Sequence, residues 1–261
     1  MKIFYCGDVV GRPGREAVLN NIEIIRKKYN PDVLIVNIEN AAHGFGVTPS
    51  IAREMFDKGV NVLTSGNHIW KQREILPFME SNKNLIRPLN YPDGTPGQGY
   101  VVYELANGKK ILITQVLGRI FMEAVDNPLT AMDNLLSKFT IGRNVDAIFV
   151  DIHGEATSEK LAIGHYLDGK VSVVAGSHTH IPTSDAVIRK NGTAYITDVG
   201  MCGDYDSVLG FEIEAPINRI RQKFANDRLQ VCKGKGTLYG IFVETDDKTG
   251  LATHIEQVKL D

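Results

Sequence analysis

Five short apolar runs in this 261-residue chain lead into side chains that can hold a metal ion. Residues 3–6 lead to Asp8, 33–36 to Glu39 and Asn40, and 61–64 to Asn67 and His68. Residues 147–150 lead to His153, and 173–175 to His178 and His180. Carboxylate, amide and imidazole donors without cysteine suit manganese, iron or zinc rather than a thiolate site. Seven of these groups, Asp8, Glu39, Asn40, Asn67, His153, His178 and His180, are more than one transition metal needs. They suit two metals that share a bridging carboxylate, an arrangement that polarises bound oxygens and turns water into a nucleophile.

Singly, most of these residues have plainer readings. Asp8 could equally cap the turn that follows it. Asn40 and Asn67 are ordinary turn residues, and His153 alone reads as a hydrogen-bonded histidine. Glu39 is harder to set aside, because a carboxylate at the end of a buried strand needs a partner. His178 and His180 are two apart, so in extended chain both imidazoles are expected to face one point beyond the strand end. The case rests on convergence, since ligand sites in open α/β sheets form outside the carboxyl ends of the strands.

The elements that position these groups alternate. The run at residues 33–36 is unbroken and apolar, as in a strand covered on both faces. Val18, Ile22 and Ile25 recur at helical spacing between Gly11 and Tyr29. Further helices are expected from Thr48-Pro49 to about Lys58, from Asn127-Pro128 to about Phe139, and over residues 157–167. Asn107-Gly108 and Asn191-Gly192 each mark a hairpin, and two strands close the chain near residues 238–244 and 253–258. Alternating strands and helices predict an α/β class with a parallel or mixed sheet covered by helices. Residues 87–99, rich in proline and glycine, are expected to form a surface loop between two halves.

Composition narrows the setting. The chain is 43% hydrophobic and 23% charged, an ordinary globular profile, and its net charge of −2 gives no overall bias toward polyanions. Three cysteines without framework spacing fit a reducing compartment. No apolar run approaches the roughly 20 residues needed to span a bilayer, and the first residues carry too short an apolar run for a signal peptide. The expectation is a cytoplasmic protein with no membrane partner. His43 is read as a loop residue, His165 and His254 as structural, and Cys6 as core packing. The basic stretch of Arg219, Arg221, Lys223, Arg228, Lys233 and Lys235 is read as a solvated face, with an RNA-contacting rim as the alternative.

Gly7-Asp8, Gly66-Asn67-His68, His153 and residues 176–180 (Gly-Ser-His-Thr-His) resemble the calcineurin-like metallophosphoesterases. Val10 stands where that broad family has histidine, and Ile69 where it has an acid. Both departures fit a narrower branch, the YmdB-like phosphodiesterases. Its signatures are intact here in residues 7–14, in Glu39-Asn40-Ala41-Ala42, in Gly66-Asn67-His68-Ile69-Trp70, in residues 151–155 and in residues 197–201.

The resemblance covers nearly the whole chain and implies one domain over residues 1–261, a four-layer α/β/β/α sandwich of two mixed sheets flanked by helices. It implies two metal ions, iron or manganese with zinc as an alternative, and hydrolysis of 2′,3′-cyclic nucleotides or related phosphodiesters. Carried over residue by residue, Asp8, Glu39, Asn40 and His180 hold one metal. Glu39, Asn67, His153 and His178 hold the other, and Asn40 takes the place left by Val10. His68 is outside the ligand set and is expected to act as general acid. Three functions compete: a phosphodiesterase acting on small cyclic nucleotides or short RNA, a phosphomonoesterase with the same centre, and a non-catalytic metal- or nucleotide-binding regulator. A homo-oligomer is compatible with each.

Overall fold

Local sequence signals account for most elements of the computed structural model, which describes residues 1–222 and 227–261. In chain order these are β1 (Lys2–Cys6), β2 (Asp8–Val9), α1 (Gly11–Tyr29), β3 (Val33–Asn37), α2 (Pro49–Asp57), β4 (Val62–Thr64) and α3 (Ile75–Ser81). Then follow β5 (Tyr100–Glu104), β6 (Lys110–Leu117), α4 (Pro128–Leu136), β7 (Ala147–His153), α5 (Thr157–Tyr166) and β8 (Val173–Ser177). The last are β9 (Val187–Ile188), β10 (Ala194–Ile196), β11 (Met201–Cys202), α6 (Glu214–Arg221), β12 (Leu238–Thr245) and β13 (Ala252–Leu260). Helix starts follow capping chemistry. Thr48 accepts from the Ile51 N–H at 3.3 Å, with Pro49 in the first turn. Asn127 accepts from the Leu129 and Thr130 N–H groups, with Pro128 behind it. Helix α1 ends on Asn30 in the left-handed region (φ 45°).

Two mixed sheets form. One has the order β13-β12-β1-β3-β4, the other β5-β6-β7-β8-β10-β9. Strands β1, β3 and β4 are parallel, as are β6, β7, β8 and β10. Alternation along each strand divides its side chains between two faces. Ile3 and Tyr5 of β1, with Val33 and Ile35 of β3, meet Ile113, Phe149, Val173 and Ala175 of the other sheet in a core between the sheets. Phe4, Leu34 and Leu63 face the opposite way, onto Val18 and Ile25 of α1, Met55 of α2 and Met79 of α3. Leu112, Ile148 and Val174 likewise cover Met132 of α4 and Ile163 of α5. These are the four layers of the expected sandwich. Full burial of each such side chain contributes about 1.5–3 kcal/mol.

The structure corrects several local expectations. Strand β7 does not stop at Val150 but runs through to His153, because β6 extends to Leu117 and pairs with it there. Helices α3 and α6 and the two-stranded β2–β11 ribbon lay outside the sequence reading. The segment at 87–99 does join the two sheets, but it is not wholly a surface loop. Asn90 is buried, accepts from the Leu117 N–H at 2.8 Å and donates to the Leu117 and Asp126 carbonyls. It thereby satisfies the backbone at the end of β6. His165 and His254, expected to be structural, are exposed, as is His43. Cys6 is buried in the core, as expected. Lys223 of the basic stretch lies outside the described residues. Among the described residues no helix is long and apolar enough to cross a membrane.

Candidate metal centre

The carboxyl ends of β1, β3 and β4 in one sheet, and of β7 and β8 in the other, bring the predicted side chains together. The Glu39 carboxylate is the hub. One oxygen lies 2.6 Å from His153 Nε2. The other accepts from the His68 N–H at 2.9 Å and lies 3.2 Å from His68 Nδ1. His178 Nδ1 is 3.1 Å from His153 Nε2. Asp8 accepts from the His178 N–H at 2.9 Å and stands 3.7 Å from His153 Nδ1. Asn40 Oδ1 is 3.2 Å from His180 Nε2. Asn67 joins through its neighbour, since Gly66 packs so closely on Glu39 and His153 that a Cβ there would lie 2.5 Å from atoms of both.

Backbone conformation aims the two strand-end histidines, and not in the way their spacing suggests. His178 and His180 have φ of 95° and 64°, so neither is in extended chain. The convergence expected from strand alternation is produced by a left-handed turn, a costly conformation for non-glycine residues that surrounding contacts must hold in place. Asn40 reaches the same point because Val10 and Asn40 form a parallel bridge, with the Gly11 N–H donating to the Asn40 carbonyl at 2.9 Å.

The donor set fits metal ions. Glu39, His153 and His178 present ligand atoms within 4.8 Å of one another. Asp8 Oδ1 and Asn67 Oδ1 are buried with no hydrogen-bond partner among the described residues. A buried oxygen without a donor costs about 1–3 kcal/mol or more, and a cation would satisfy both. Charge points the same way. Asp8, Glu39, Asp151 and Asp198 are all buried here, and among the described residues Lys160 is the only buried lysine.

Protonation follows from these neighbours. Burial alone would lower the His153 pKa, but Glu39, Asp8 and Asp151 outweigh it and push it up to about 9. Burial and the nearby His153 push His178 down to about 3. Glu39 resists burial because His153 and His68 hold it well below the usual carboxylate range. Burial pushes Asp8 well above that range; His153 opposes the rise, and Glu39 and Asp198 add to it.

A polar network behind the ligands was missed in the sequence. Ser177 Oγ donates to Asp151 Oδ1 at 2.6 Å and lies 2.9 Å from His153 Nδ1. Its proton being used on Asp151, Ser177 accepts from His153 Nδ1–H, which leaves Nε2 to face Glu39. Asp151 also accepts from Tyr5, Thr64 and Gln115 at 2.7–2.8 Å, tying both sheets together at this edge. Asp151 and Ser177 fell within the segments at 151–155 and 176–180 that carried the resemblance, but no role was read for either.

The centre opens into a cleft of about 480 Å³. Glu39, His68, His178 and His180 line it, and Phe45, Leu209, Phe211 and Ile220 add an apolar wall next to them. That wall comes from segments without clear periodicity and left no trace in the sequence.

A family model described as YmdB-like protein matches residues 4–258. The chain belongs to the YmdB-like family. It is 43% identical to the 2′,3′-cyclic-nucleotide 2′-phosphodiesterase of Bacillus subtilis strain 168, over 100% of this chain and 97% of that one. Two solved structures superpose with a TM-score of 0.92 each. One is a hypothetical protein from Thermus thermophilus, 39% identical over 100% of this chain and 99% of that chain. The other, described as a novel phosphatase from Mycoplasma pneumoniae, is 37% identical over 100% of this chain and 93% of that chain.

Proposed function

We propose that the chain is a metal-dependent phosphodiesterase that opens 2′,3′-cyclic nucleotides, with Asp8, Glu39, Asn40, Asn67, His153, His178 and His180 as ligands. The observation that carries this reading is the reach of Glu39, 2.6 Å from His153 and 3.2 Å from His68 at the floor of one cleft. The name of the Bacillus subtilis relative supports the substrate class. Two transition metals, iron or manganese, would supply Lewis-acid polarisation of the phosphoryl oxygens and a nucleophile from water near neutral pH.

The protein's own groups account for the rest. Ser177 and Asp151 fix the tautomer and orientation of His153. Phe45 and Phe211, stacked with ring centroids 5.5 Å apart, offer an apolar surface for a nucleobase and exclude water. As water adds to phosphorus the P–O2′ bond breaks, the 2′ oxygen takes a proton and the product carries a 3′-phosphate. His68 supplies that proton. Its Nδ1 faces Glu39, so Nε2 is the nitrogen left to serve the leaving oxygen, and the ring is 22% exposed on the cleft.

A general acid contributes about 10²–10⁴-fold, and most where the leaving group is poor. His68→Ala should keep its metals and lose far more rate on a 2′,3′-cyclic nucleotide than on bis-p-nitrophenyl phosphate, whose leaving group scarcely needs a proton. Equal losses on both substrates would reduce His68 to a positioning residue, and loss of metal would make it a ligand. The description of the Mycoplasma pneumoniae structure favours a second reading, a phosphomonoesterase with the same centre. Faster turnover of mono- than of bis-p-nitrophenyl phosphate would establish it.

A further inference from the structure

The cleft over the metal centre continues into a second one. A cavity of about 700 Å³ lies beside it, and Phe45, Arg219 and Leu229 line both. The two differ in chemistry. The first has the apolar wall described above. The second is lined by His43, Gln72, Arg219 and Arg228, with no acidic residue among its described lining residues. Arg228 also lines a separate depression, together with Glu212, Glu214 and Asp227. Arg219, common to both cavities, is held by its Nη2, which donates to the Asp227 carbonyl at 2.9 Å. Phe45 stands at the junction, edge-on to His68 at 5.1 Å and stacked on Phe211.

The net charge of −2 does not explain two arginines lining the cavity next to the active cleft. Planar guanidiniums match phosphate oxygens in bidentate geometry. A 2′,3′-cyclic mononucleotide has one phosphate, and the metal centre takes it. The arginines next door would have nothing to bind unless the substrate carried a second.

We infer that the second cavity takes the internucleotide phosphate of an RNA 3′ end bearing a 2′,3′-cyclic phosphate. The substrate class then extends from mononucleotides to oligoribonucleotides. The inference rests on the phosphodiesterase reading and adds a subsite to it. The terminal nucleoside lies against the apolar wall with its cyclic phosphate at the metal centre. Its 5′ oxygen points along the shared wall, and the phosphate there meets Arg219 and then Arg228.

The test compares kcat/KM on a trinucleotide ending in a 2′,3′-cyclic phosphate with that on the matching cyclic mononucleotide. The native protein should prefer the trinucleotide by about tenfold at low salt, the scale of one charge-assisted phosphate contact. In Arg228→Ala the preference should fall to near unity while the mononucleotide rate changes less than about twofold. Arg228 is exposed, so the variant should fold. The slope of log affinity against log salt should flatten by about 0.7, the value for one phosphate on a single strand. No preference in the native protein, or a preference that survives Arg228→Ala, would overturn the inference while leaving the phosphodiesterase reading intact. If neither cyclic substrate is opened, that reading fails. Anisotropy with a fluorescent 3′-phosphorylated trinucleotide then decides the subsite alone, and binding indifferent to Arg228 rejects it.

Discussion

Lys160 and Asp198 meet at 2.7 Å beneath the turn that carries His178 and His180, each with a side chain only 1% exposed. Asp198 also accepts from the Thr179 N–H and hydroxyl, and Lys160 donates to the Ser177 carbonyl at 2.9 Å. The pair straps the chain on both sides of His178, which explains how a positive φ is held there. Removing one partner of a buried pair leaves an uncompensated charge and costs about 3–5 kcal/mol. Lys160→Met should lose that much in urea denaturation of the metal-free protein, and Lys160→Met with Asp198→Asn should recover part of it. A loss under about 1 kcal/mol, the scale of an exposed pair, would mean that the strap carries no strain.

Gly66 is required by close approach. An alanine methyl would press on Glu39 and His153, neither of which is more than 1% exposed. Overpacking of this kind costs about 1–3 kcal/mol. Gly66→Ala should melt lower and bind less metal by elemental analysis. Native metal content in this variant would show that the loop gives way without moving the ligands.

Glu39 is proposed as the bridge, so Glu39→Ala should lose both metals, whereas Asn40→Ala should weaken one. Metal analysis after loading with manganese or iron separates the two outcomes. Two metals retained by Glu39→Ala would reassign the bridge, and equal weakening of both metals by Asn40→Ala would remove Asn40 as the replacement for a histidine at position 10.

Metal loading should depend on pH through His153. Its folded pKa of about 9 lies above the ordinary value of 6.5, so in metal-free protein it carries a proton at neutral pH. The stability this contributes is fully present below about 6.5 and is lost as pH rises through about 9. A ligand must be neutral, so loading at pH 7 should release a proton from His153, and apparent affinity should fall as pH drops below about 9. His178, pushed down to about 3, is already neutral and adds nothing to this release. Calorimetry of loading in buffers of different ionisation enthalpy reads the proton directly, and zero release would contradict the assignment.

Much of the candidate site was legible because its signals are local. An apolar run such as residues 33–36 ending at Glu39, or residues 173–175 ending at His178, announces both a buried strand and a polar group at its end. Parallel strands then place those ends at one edge. The alternation of strands and helices, the helix caps at Thr48 and Asn127 and the identities of the candidate ligands were therefore determined by the sequence alone. What it left open depends on distance across the fold. Tyr5 and Asp151 are 146 residues apart, and Lys160 and Asp198 are 38 apart. Lys160 lies on a helix where a lysine ordinarily faces water, yet it is buried against Ser177 and Asp198. The positive φ at His178 and His180, the tautomer of His153 and the apolar wall of Phe45 and Phe211 were likewise decided by tertiary structure. Periodicity encodes which face a side chain takes within its own strand or helix; it carries nothing about which group of another sheet will stand opposite.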